Sequence, residues 1–496
     1  MLLKDLATYI IASEIRGNSE TDCKDISIDS RKIAPGDLFV CLPGHTVDGH
    51  DFAGKAAEQG AAALVVERWL DDVSLPQLKV KDSRLAMAVL GNAFFGSPSS
   101  RLQVIGVTGT NGKTTTTYLI ERILEDQGKK TGLIGTIQRR YAGRTFPMSG
   151  TTPESLDLQR YLHEMDAADM AYCVMEVSSH ALEQGRVKGT RFRTAVFTNL
   201  TQDHLDYHHT MEEYRAAKGL LFSRLGNTYE GDPTQRSYAV LNADDPASAY
   251  FAKQTAAEIV TYGVEHEADV RASGISVTAK GTSFHVDTFR GSADIALRMV
   301  GKFNVYNALA AISAALLENI PLADIKSSLE SIKGVEGRVE AVDEGQDFAV
   351  VVDYAHTPDG LENVLNTVNE FAEGRVITVF GCGGDRDRTK RPIMGKIAAR
   401  LSGHVIVTSD NPRTEDPELI LKDIEAGLTE DGVPAERYEM IVDRREAIQK
   451  AIEMASPGDV VLIAGKGHET YQLIGKEVHD FDDRVVAKEA IRSLNQ

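Results

Sequence analysis

The stretch LQVIGVTGTNGKTTTT, residues 102–117, joins a short apolar run to a segment rich in glycine and threonine. It nearly matches the phosphate-loop pattern G-x-x-x-x-G-K-[ST]. The first glycine of that pattern would stand at position 107, but the chain has Val107 there, and Gly106 lies one residue early. The apolar run predicts a strand, and the apolar spacing after the loop predicts an amphipathic helix. The buried face of that helix would consist of Leu119, Ile120, Ile123 and Leu124.

The chemistry of the loop suits an anion, because backbone N–H groups at a helix N-terminus, a lysine and a hydroxyl lie close together. Gly109 and Gly112 would allow the backbone to approach a phosphate closely. Lys113 would reach the terminal phosphates, and Thr114 would ligate Mg²⁺. The local pattern alone also fits an ordinary glycine-rich turn between a strand and a helix.

Composition argues against several classes of protein. The chain has 496 residues, too many for one hydrophobic core, and its 54 basic and 73 acidic residues give a net charge of −19. A general binder of nucleic acid or of anionic membranes needs a broad basic surface, so neither role is expected. The four cysteines, at positions 23, 41, 173 and 382, include no C-x-x-C pair. They predict neither a zinc site nor a disulfide framework and suit a reducing cytosol.

The N-terminal stretch MLLKDLATYIIASEI interrupts its apolar residues with Lys4, Asp5 and Glu14. This pattern predicts an amphipathic helix and is unlike a signal peptide. The sequence also contains no run of about 18 apolar residues, so we expect no membrane-spanning helix.

Alternating helix-like and strand-like segments divide the chain into three α/β blocks, which we predict to be domains of residues 1–98, 99–333 and 334–496. In the central block, nearly continuous apolar runs predict a largely parallel sheet that is covered on both faces. The third block contains four apolar runs that each end in glycine, polar or charged residues. They are FAVVVDYAH, RVITVFGCGGDRD, HVIVTSDNPR and DVVLIAGKGHE. Because open α/β sheets bind ligands beyond the carboxyl ends of their strands, these ends predict a binding site.

The string GVTGTNGKTTT, residues 106–116, resembles the ATP loop of the Mur ligase family, in which the first glycine has this shifted position. The resemblance extends over essentially the whole chain. It implies an α/β fold of three domains: a small N-terminal domain that binds UDP-MurNAc, a central P-loop-type ATPase domain with a mainly parallel sheet, and a C-terminal Rossmann-like domain that binds an amino acid. It also implies ATP contacts from Thr108, Gly109, Thr110, Asn111, Gly112, Lys113 and Thr114.

The resemblance assigns metal binding and catalysis to further residues, beside the metal ligand Thr114. Glu176 in MEVSSHAL would help to bind Mg²⁺, and His204 in TNLTQDHLDYHHT would approach a second Mg²⁺. Lys218 in EEYRAAKGLLFSRL would be carbamylated to N6-carboxylysine, which turns a cation into a carboxylate that helps to hold the second ion. With Lys113, these three residues form the implied catalytic set. Local sequence leaves other interpretations open: a solvated carboxylate at a strand end, a structural histidine among acids, and an ordinary surface lysine.

Four more positions resemble residues of the family that lie near the bound nucleotide. Asn304 lies in GKFNVYNALAAISAAL, which borders the adenine in the family, whereas local sequence would also let Asn304 and Asn307 cap that helix. Arg338 in EGRVE, and Asp353 and His356 in VDYAHTPD, resemble ADP-proximal positions of the C-terminal domain.

The nucleotide-sugar substrate would contact another set of residues. Ser30 in ISIDSRKIAPGDLFVCLPGHTVDGH matches the UDP-binding module of the family. The muramoyl-dipeptide would contact Thr151, Thr152, Ser178, Gln184 and Arg186. Arg186 offers a fork of donors that suits a carboxylate. The local alternative for Thr151 and Thr152 is N-capping of the helix that follows Pro153.

The string TSDNPRTEDP, residues 408–417, resembles the signature of family members that add meso-diaminopimelate. Asp410 and Asn411 would accept hydrogen bonds from the ammonium group of the distant amino-acid centre, and Arg413 would bind its carboxylate. Lysine-adding relatives have no such carboxylate to bind, so an arginine there would be useless or repulsive. The implied diaminopimelate contacts are Arg386, Asp410, Asn411, Pro412, Arg413, Gly465 and Glu469. The local alternative is a loop with helix caps.

The resemblance implies an ATP-dependent ligase of cytoplasmic peptidoglycan-precursor synthesis. ATP would phosphorylate the D-glutamyl side-chain carboxylate of UDP-MurNAc-L-Ala-D-Glu, and the amine of diaminopimelate would attack the resulting acyl phosphate. We expect small-molecule partners only and a monomer. The alternatives are the lysine-adding ligase of the same family, a ligase like folylpolyglutamate synthase, and a nucleotide-dependent switch with no chemistry of its own.

Overall fold

The computed structural model describes residues 1–44, 47–148, 150–226, 235–278, 281–430 and 432–494. Within these residues the chain forms three α/β units, each around its own main sheet. No helix in the described residues is long and apolar enough to cross a membrane.

The first unit is a small sheet with helices on both faces. Its elements are α1 (Leu3–Ala7), β1 (Glu14–Arg16), β2 (Ile26–Ser27), β3 (Leu38–Val40), α2 (Ala53–Glu58), β4 (Ala63–Val66), β5 (Gln77–Lys79) and α3 (Ser83–Phe94). The strands lie in the order β1-β5-β4-β3-β2, and only β1 is antiparallel to its neighbour. Because alternate residues of a strand point to opposite faces, Leu38 and Val40 pack with α1 and α3, whereas Phe39 packs with α2.

The predicted N-terminal amphipathic helix is shorter than its sequence pattern indicates. α1 ends at Ala7, and the strand β1 follows after a turn. The Ser13 hydroxyl donates hydrogen bonds to the carbonyl oxygens of Ala7 (3.2 Å) and Ile10 (3.0 Å), and Ala12 has a left-handed φ of 61°. A side chain that binds these carbonyls competes with continuation of the helix. The prediction of one helix over the whole stretch is therefore wrong beyond Ala7.

The second unit holds the glycine-rich loop at the middle of a large sheet. Its elements are β6 (Gln103–Thr108), α4 (Lys113–Asp126), β7 (Thr131–Ile134), β8 (Gln138–Tyr141), β9 (Arg144–Pro147), α5 (Ser155–Ala167), β10 (Tyr172–Glu176), α6 (Ser179–Glu183), β11 (Thr194–Phe197), α7 (Leu205–His208), α8 (Met211–Ser223), β12 (Tyr238–Asn242), α9 (Ala247–Gln254), β13 (Glu258–Gly263), β14 (Val270–Thr278), β15 (Gly281–Thr288), β16 (Gly291–Leu297), α10 (Lys302–Leu317) and α11 (Leu322–Ser331). The strands lie in the order β16-β15-β14-β13-β12-β11-β6-β10-β7-β8-β9. The strands from β14 to β7 in this order are parallel, and the antiparallel strands lie at the two edges. The prediction of a mainly parallel sheet is confirmed.

Helices cover both faces of this sheet. On one face α4 and α10 pack against the strands, and on the other face α5, α6 and α8 do so. The predicted helix face after the loop is confirmed, since Leu119, Ile120, Ile123 and Leu124 are all fully buried. The strand β6 and the helix α4 are thus both fixed by the core, and the loop between them is held at the carboxyl edge of the sheet.

The third unit is also a sheet between two layers of helices. Its elements are β17 (Glu340–Ala341), β18 (Ala349–Asp353), α12 (Pro358–Phe371), β19 (Val376–Phe380), α13 (Lys390–Leu401), β20 (His404–Val407), α14 (Pro417–Glu430), β21 (Tyr438–Met440), α15 (Arg444–Met454), β22 (Val460–Ala464), β23 (Tyr471–Ile474), β24 (Glu477–Asp480) and α16 (Asp483–Leu494). The main sheet has the order β17-β18-β22-β19-β20-β21, and β23 and β24 form a separate hairpin. The four predicted apolar runs are the adjacent parallel strands β18, β22, β19 and β20. Their polar carboxyl ends therefore meet at one edge, as predicted.

A buried ion pair joins α15 to α16 in the third unit. Arg444 and Asp483 are both inaccessible to solvent, with 2.8 Å from Nε to Oδ1 and 2.7 Å from Nη2 to Oδ2. Removal of one charge would leave the other buried without a partner. We expect Asp483→Asn to lower the free energy of unfolding of this unit by about 3 kcal/mol, as measured by urea denaturation.

An exposed ion pair between the same two helices provides the control. Arg445 Nη1 lies 2.6 Å from Glu489 Oε2, and both side chains are about half exposed. Because exposed pairs contribute little, Glu489→Gln should change the free energy of unfolding by less than about 1 kcal/mol. Equal effects of Asp483→Asn and Glu489→Gln would contradict the expectation.

Candidate active site

A cavity of about 810 Å³ lies between the second and third units. The second unit contributes the glycine-rich loop, the ends of β10, β11 and β12, and residues of α8 and α10. The third unit contributes residues just beyond β18, β19, β20 and β22. The carboxyl ends of parallel strands are where open α/β sheets bind ligands, so this cavity is the candidate active site.

Most of the residues predicted from the sequence line this cavity. They are Thr110, Asn111, Gly112, Lys113, Thr114, Thr151, Glu176, Ser178, His204, Lys218, Arg338, Asp353, His356, Arg386, Asp410, Asn411, Arg413, Gly465 and Glu469. The predicted residues that do not line it are Ser30, Thr108, Gly109, Thr152, Gln184, Arg186, Asn304 and Pro412. Residues more than 300 positions apart in the sequence are thus brought together at one site.

The loop requires glycine at two positions. Gly109 has a φ of 150° and Gly112 a φ of 81°. A Cβ atom would lie 1.8 Å from Thr198 Oγ1 at the first position and 2.3 Å from Asn307 Oδ1 at the second. Gly112 is the N-cap of α4, so the unpaired N–H groups of the first helical turn lie at the cavity wall. This geometry is that of an anion site at a helix N-terminus.

Lys113, the first residue of α4, holds the loop from inside. Its Nζ atom donates hydrogen bonds to the carbonyl oxygens of Gly109 (2.9 Å) and Thr110 (2.7 Å). Burial lowers the pKa of its ammonium group. The lysine and the helix N-terminus together present positive charge to the cavity.

The third unit contacts the loop at two points. Asn111 Nδ2 donates to Asp359 Oδ2 of α12 at 2.6 Å, and Arg338 Nη2 donates to Thr114 Oγ1 at 3.1 Å. The Arg338 guanidinium also lies 4.5 Å from the centre of the Tyr354 ring. Side chains of both units therefore meet at the loop.

Glu176, the last residue of β10, is completely buried. Its carboxylate accepts hydrogen bonds from Thr114 Oγ1 (3.1 Å to each oxygen), from the Thr136 N–H (2.8 Å) and from Thr136 Oγ1 (3.0 Å). The local alternative of a solvated carboxylate at a strand end is therefore wrong. The carboxylate and the Thr114 hydroxyl instead form a set of oxygen atoms beside the loop, which suits a hard cation.

His204 precedes α7 in a left-handed conformation, with a φ of 56°. Its Nε2 atom lies 3.3 Å from Asp203 Oδ2, and its ring meets the edge of His180 at 4.7 Å between ring centres. Burial lowers the pKa of His204 to about 3, although the Asp203 charge opposes this effect. The imidazole is therefore neutral at physiological pH, which is the form that binds metal ions or accepts a hydrogen bond.

Lys218 lies on α8, as predicted, but it is buried and not at the surface. Its Nζ atom donates to the carbonyl oxygen of Gly109 at 2.8 Å and lies 4.4 Å from the centre of the Tyr214 ring. Burial and the charge of Lys113 hold the pKa of this amine well below its usual range. The local interpretation as an ordinary surface lysine is wrong.

The two asparagines of α10 do not cap that helix, because its N-cap is Gly301. Asn304 Nδ2 donates to the Val300 carbonyl oxygen at 2.9 Å, and Asn307 Nδ2 donates to Asn304 Oδ1 at 3.1 Å. Asn307 lines the cavity, whereas Asn304 lies behind it. The structure thus presents Asn307, supported by Asn304, to the cavity.

Asp353 and His356 follow β18 at the third-unit wall. Asp353 accepts hydrogen bonds from the N–H groups of Val339 (2.8 Å) and Ala355 (2.7 Å), so it shapes the chain around it. His356 Nδ1 lies 2.8 Å from the Tyr354 carbonyl oxygen. Burial lowers the pKa of His356 to about 4, so its ring is also neutral.

The residues predicted to contact the dipeptide form an interlocked group beside the loop. Thr152 Oγ1 donates to the Glu176 carbonyl oxygen (2.9 Å) and accepts from the Ser178 N–H (3.1 Å). Arg186 Nη1 donates to the Thr152 carbonyl oxygen (3.1 Å), and its Nη2 donates to Gln184 Oε1 (2.7 Å). These bonds hold the cavity edge that carries Thr151 and Ser178.

Among the residues predicted to contact the dipeptide, Ser178 caps a helix, whereas Thr151 and Thr152 do not. The N-cap of α5 is Glu154, so the capping alternative for Thr151 and Thr152 is wrong. Ser178 is the N-cap of α6, where its Oγ accepts from the Ala181 N–H at 3.3 Å. Ser30 lies just after β2 in the first unit, outside the cavity lining.

Two guanidinium groups lie at the third-unit end of the cavity. Arg413 Nη1 donates to the Gly384 carbonyl oxygen (2.8 Å), and Arg386 Nη1 donates to the Asp385 carbonyl oxygen (2.9 Å). Burial, together with the charge of Arg413, lowers the pKa of Arg386. Neither guanidinium has a carboxylate partner within ion-pair distance in the described part of the chain. Two neighbouring, unpaired guanidiniums predict an anionic ligand.

Acidic groups lie next to these arginines. Asp410 and Glu469 flank the buried ammonium of Lys466, which lies 3.4 Å from Asp410 Oδ1 and 3.3 Å from Glu469 Oε2. Burial and the Asp410 charge raise the pKa of Glu469. Burial acts in the same direction on Asp410, but the charges of Lys466 and Arg444 outweigh it and lower the pKa of that residue. The cavity end therefore presents both signs of charge, as a ligand with an ammonium and a carboxylate requires.

Comparison with known proteins decides the family. The model "Mur ligase family, catalytic domain" matches residues 23–95, "Mur ligase middle domain" matches 107–315, and "Mur ligase, glutamate ligase domain" matches 337–467. The sequence is 53% identical over 497 residues to the UDP-N-acetylmuramoyl-L-alanyl-D-glutamate–2,6-diaminopimelate ligase of Bacillus velezensis, with 100% of both chains covered. The chain belongs to the Mur ligase family.

Other similar proteins support the same family assignment. The protein of the same name from Halalkalibacterium halodurans is 54% identical over 491 residues, which cover 99% of this chain and 98% of that protein. A solved structure of a UDP-N-acetylmuramoyl-L-alanyl-D-glutamate–2,6-diaminopimelate ligase has a TM-score of 0.69 and 34% identity and covers 100% of this chain and 99% of that chain. The three-domain α/β architecture of Mur ligases, expected from the sequence, is confirmed.

Sequence reasoning missed several residues of the Mur ligase cavity. Lys390, at the start of α13, is 7% exposed and lines the cavity, and its ammonium group has no hydrogen-bond or ion-pair partner in the described residues. Lys466 is fully buried between the acids, and Asp359 binds the loop. The basic run DRDRTKR after β19 was the signal that could have indicated Lys390. Nothing local to Asp359 indicates its partner Asn111, and nothing local to Lys466 indicates its distant partner Asn411.

Proposed function

We propose that this Mur ligase uses ATP to join meso-diaminopimelate to the D-glutamyl side-chain carboxylate of UDP-N-acetylmuramoyl-L-alanyl-D-glutamate. One observation carries the proposal. Arg386 and Arg413, which have no carboxylate partner in the described residues, lie beside Asp410 and Glu469 in the cavity that also contains the phosphate loop. The relatives that are 53% and 54% identical are named for the same activity, which supports the proposal.

The charges of the third-unit wall match the distant end of diaminopimelate. That end carries an ammonium group and a carboxylate. Arg386 and Arg413 would bind the carboxylate, and Asp410 and Glu469 would accept from the ammonium. L-Lysine offers only the ammonium there, so it would leave two guanidiniums without an anion. We therefore prefer diaminopimelate to lysine, and this cluster also separates the proposal from a folylpolyglutamate-synthase-like activity.

The loop residues and the residues around them would bind ATP. Lys113 and the first turn of α4 would hold its terminal phosphates, with Asn307, Arg338 and His356 at the surrounding walls. The terminal phosphoryl group passes to the D-glutamyl carboxylate, which gives an acyl phosphate and ADP. The amine of diaminopimelate then attacks the carbonyl carbon, loses a proton, and inorganic phosphate leaves as the amide forms. Enclosure between the two units would protect the acyl phosphate from water.

The donor set beside the loop fits Mg²⁺. The described residues contain no group of three or more His, Cys, Asp or Glu side chains arranged to hold a metal ion. Thr114 and Glu176 supply oxygen atoms, and Mg²⁺ commonly takes its remaining ligands from substrate phosphates and water. The neutral His204 would serve a second ion. When bound, Mg²⁺ would offset the negative charge of the phosphates and the carboxylate.

Carbamylation of Lys218 is part of the proposal. Lys113 and Lys218 both donate to the carbonyl oxygen of Gly109, so a partly buried amine and a buried amine lie around one atom. A carbamate on Lys218 would place a negative charge beside the Lys113 ammonium and would supply oxygen ligands for a cation. We expect a carbamate signal by NMR after incubation of the protein with isotope-labelled bicarbonate.

The carbamate signal should disappear in Lys218→Met and persist in Lys253→Met, a change on the exposed face of α9. A fully active wild-type enzyme that shows no labelled carbamate would contradict this part of the proposal.

The remaining assignments also stay proposals. We propose domain limits at 98/99 and 333/334, a UDP-MurNAc-dipeptide site that includes Ser30, Thr152, Gln184 and Arg186, and a monomeric cytoplasmic enzyme with small-molecule partners. The UDP group would extend from the cavity toward the first unit, where Ser30 lies.

The test of the function is ADP release from the full chain with each substrate omitted in turn. We expect turnover only when ATP, UDP-MurNAc-L-Ala-D-Glu and meso-diaminopimelate are all present, with a product mass equal to the amide. Turnover that continues without diaminopimelate, or that prefers L-lysine, would overturn the proposal. ATP binding without turnover would favour the nucleotide-dependent switch.

A further inference from the structure

The hairpin of β23 and β24, residues 471–480, is separate from the main sheet of the third unit. All residues of β24 are exposed, and Val478 retains 66% of its accessible surface. A lone two-stranded hairpin is only marginally stable in water. Contacts with other parts of the chain must therefore hold this hairpin in place.

The hairpin is attached to the loop of residues 410–413. Arg413 N–H donates to the Leu473 carbonyl oxygen at 3.1 Å, and Gly475 N–H donates to the Arg413 carbonyl oxygen at 2.6 Å. Leu473 N–H donates to Asn411 Oδ1 at 2.9 Å, and Gln472 Nε2 donates to the Asp410 carbonyl oxygen at 2.7 Å. Four hydrogen bonds thus join the hairpin to three of the residues predicted to bind the amino acid.

These bonds fix conformations that the loop would not keep alone. Arg413 has a left-handed φ of 52°, which non-glycine residues rarely adopt. Both of its backbone polar groups are paired with the hairpin, so the position of its backbone depends on the hairpin, whereas its Nη1 atom is held by the Gly384 carbonyl oxygen. Asn411 is similarly occupied, since its Oδ1 accepts from Leu473 and Lys466 and its Nδ2 donates to Glu469 at 2.8 Å. Asn411 therefore links the hairpin to Glu469. Because its Oδ1 atom already accepts two hydrogen bonds, it is not available to accept one from the substrate ammonium.

Lys466 connects the same elements from the interior. Its Nζ atom donates to Asn411 Oδ1 at 2.9 Å and to the Tyr471 carbonyl oxygen at 2.7 Å, beside Asp410 and Glu469. The hairpin, the loop and both acids thus belong to one hydrogen-bonded network. A displacement of the hairpin would move the arginine and the acids together.

We propose that the β23–β24 hairpin is the positioning element for the distant end of the amino-acid substrate, and that Gln472 is a positioning residue that acts on the loop of residues 410–413 through the Asp410 carbonyl oxygen. The proposal rests on the proposed function. It predicts that the hairpin affects the affinity for diaminopimelate and leaves the binding of ATP unchanged. It also predicts the reciprocal effect, that diaminopimelate stabilises the hairpin.

The kinetic test compares hairpin variants of the full-length enzyme. Gln472→Met removes the donor at similar side-chain length, and Gln472→Glu places an acceptor against the Asp410 carbonyl oxygen. We expect the KM for diaminopimelate to rise about fivefold in the first variant and further in the second, with kcat and the KM for ATP within twofold of wild type. Lys476→Met changes an exposed side chain at the tip of the same hairpin and should leave all three constants unchanged.

Two kinetic outcomes would overturn the inference. One is an unchanged KM for diaminopimelate in both Gln472 variants. The other is an equal rise in the KM for ATP, which would indicate a general loss of structure. Since both comparisons require a wild-type enzyme that uses diaminopimelate, failure of the proposed function would appear separately, in the wild type itself.

Hydrogen exchange measured by mass spectrometry tests the reciprocal effect without any substitution. Peptides that cover residues 471–475 should exchange several-fold more slowly in the wild type with saturating meso-diaminopimelate than without it. The edge hairpin of β15 and β16 in the second unit should show no change. Unchanged exchange in residues 471–475 despite turnover with diaminopimelate would overturn the inference.

Discussion

Replacement of Lys113 by methionine should lower kcat for ADP release by about 10⁴-fold, because one cation stops stabilising the charge on the transferred phosphoryl group. Lys113 is the first residue of α4, and its Nζ atom bonds the carbonyl oxygens of Gly109 and Thr110. Methionine keeps the length and the apolar part of the side chain, while it removes the charge and the two hydrogen bonds to the loop carbonyls. The measurement is a coupled ADP assay with all three substrates saturating.

A lysine beyond the other end of α4 provides the control for Lys113→Met. Lys130 is 58% exposed and pairs with Asp169 at 2.6 Å, away from the cavity. Lys130→Met should leave kcat within about twofold, since an exposed ion pair contributes little. If Lys113→Met retained a tenth of the wild-type kcat with an intact fold, Lys113 would be a structural residue of the loop and the assignment of the ATP site would fail.

The sequence shows that the first glycine of the loop pattern lies at position 106 and not at 107, but it does not show the physical reason for this shift. Gly106 lies within β6, between β10 and β11, and its φ is not left-handed. A Cβ atom there would lie 2.7 Å from Phe192 Cε1 and 3.2 Å from Val177 Cγ2. Gly106 therefore provides space for the core, whereas Gly109 provides the turn. The contact with Phe192 spans 86 positions, and no local pattern could indicate it.

The parts of the fold with strong apolar periodicity were predictable, and the parts set by single hydrogen bonds were not. The parallel strands and the α4 face follow from runs of buried residues, which the sequence displays directly. The early end of α1 is accompanied by hydrogen bonds from Ser13 to the carbonyl oxygens of Ala7 and Ile10, and the cap of α10 is Gly301. Such choices between near-equal local alternatives are decided by tertiary context.

The residues of the candidate site also fall into a group that the sequence indicated and a group that it did not. Residues that belong to a continuous motif, such as Lys113 and Arg413, were found because the motif is short and local. Lys466 and Gln472 act through partners about 55 to 62 positions away. Their roles became visible only when the distances between Nζ, Nε2 and the loop carbonyls were known. Sequence reasoning thus found the residues of continuous motifs and missed Lys466 and Gln472, which bind the loop of residues 410–413 from elsewhere in the chain.

Replacement of Arg413 by methionine should lower kcat/KM for meso-diaminopimelate by about 10³-fold, because a buried charge pair with the substrate carboxylate loses one partner. The same substitution should change kcat/KM for L-lysine little, since lysine has no carboxylate at that position. The ratio of the two constants, measured in an amino-acid competition assay, should therefore fall by nearly the full factor. Such a change in ratio cannot arise from a loss of folded enzyme, which lowers both constants equally.

An arginine close to Arg386 in the sequence provides the control for Arg413→Met. Arg388 is 64% exposed, pairs with Asp423 at 3.0 Å and does not line the cavity, so Arg388→Met should leave the ratio unchanged. Because Arg386 and Arg413 would bind one carboxylate together, the double substitution should cost less than the sum of the single effects. If the effects of the two single substitutions were additive in the double variant, the two guanidiniums would bind different groups of the substrate. A fall in the lysine constant as large as that for diaminopimelate would show that Arg413 supports the loop and does not select the substrate.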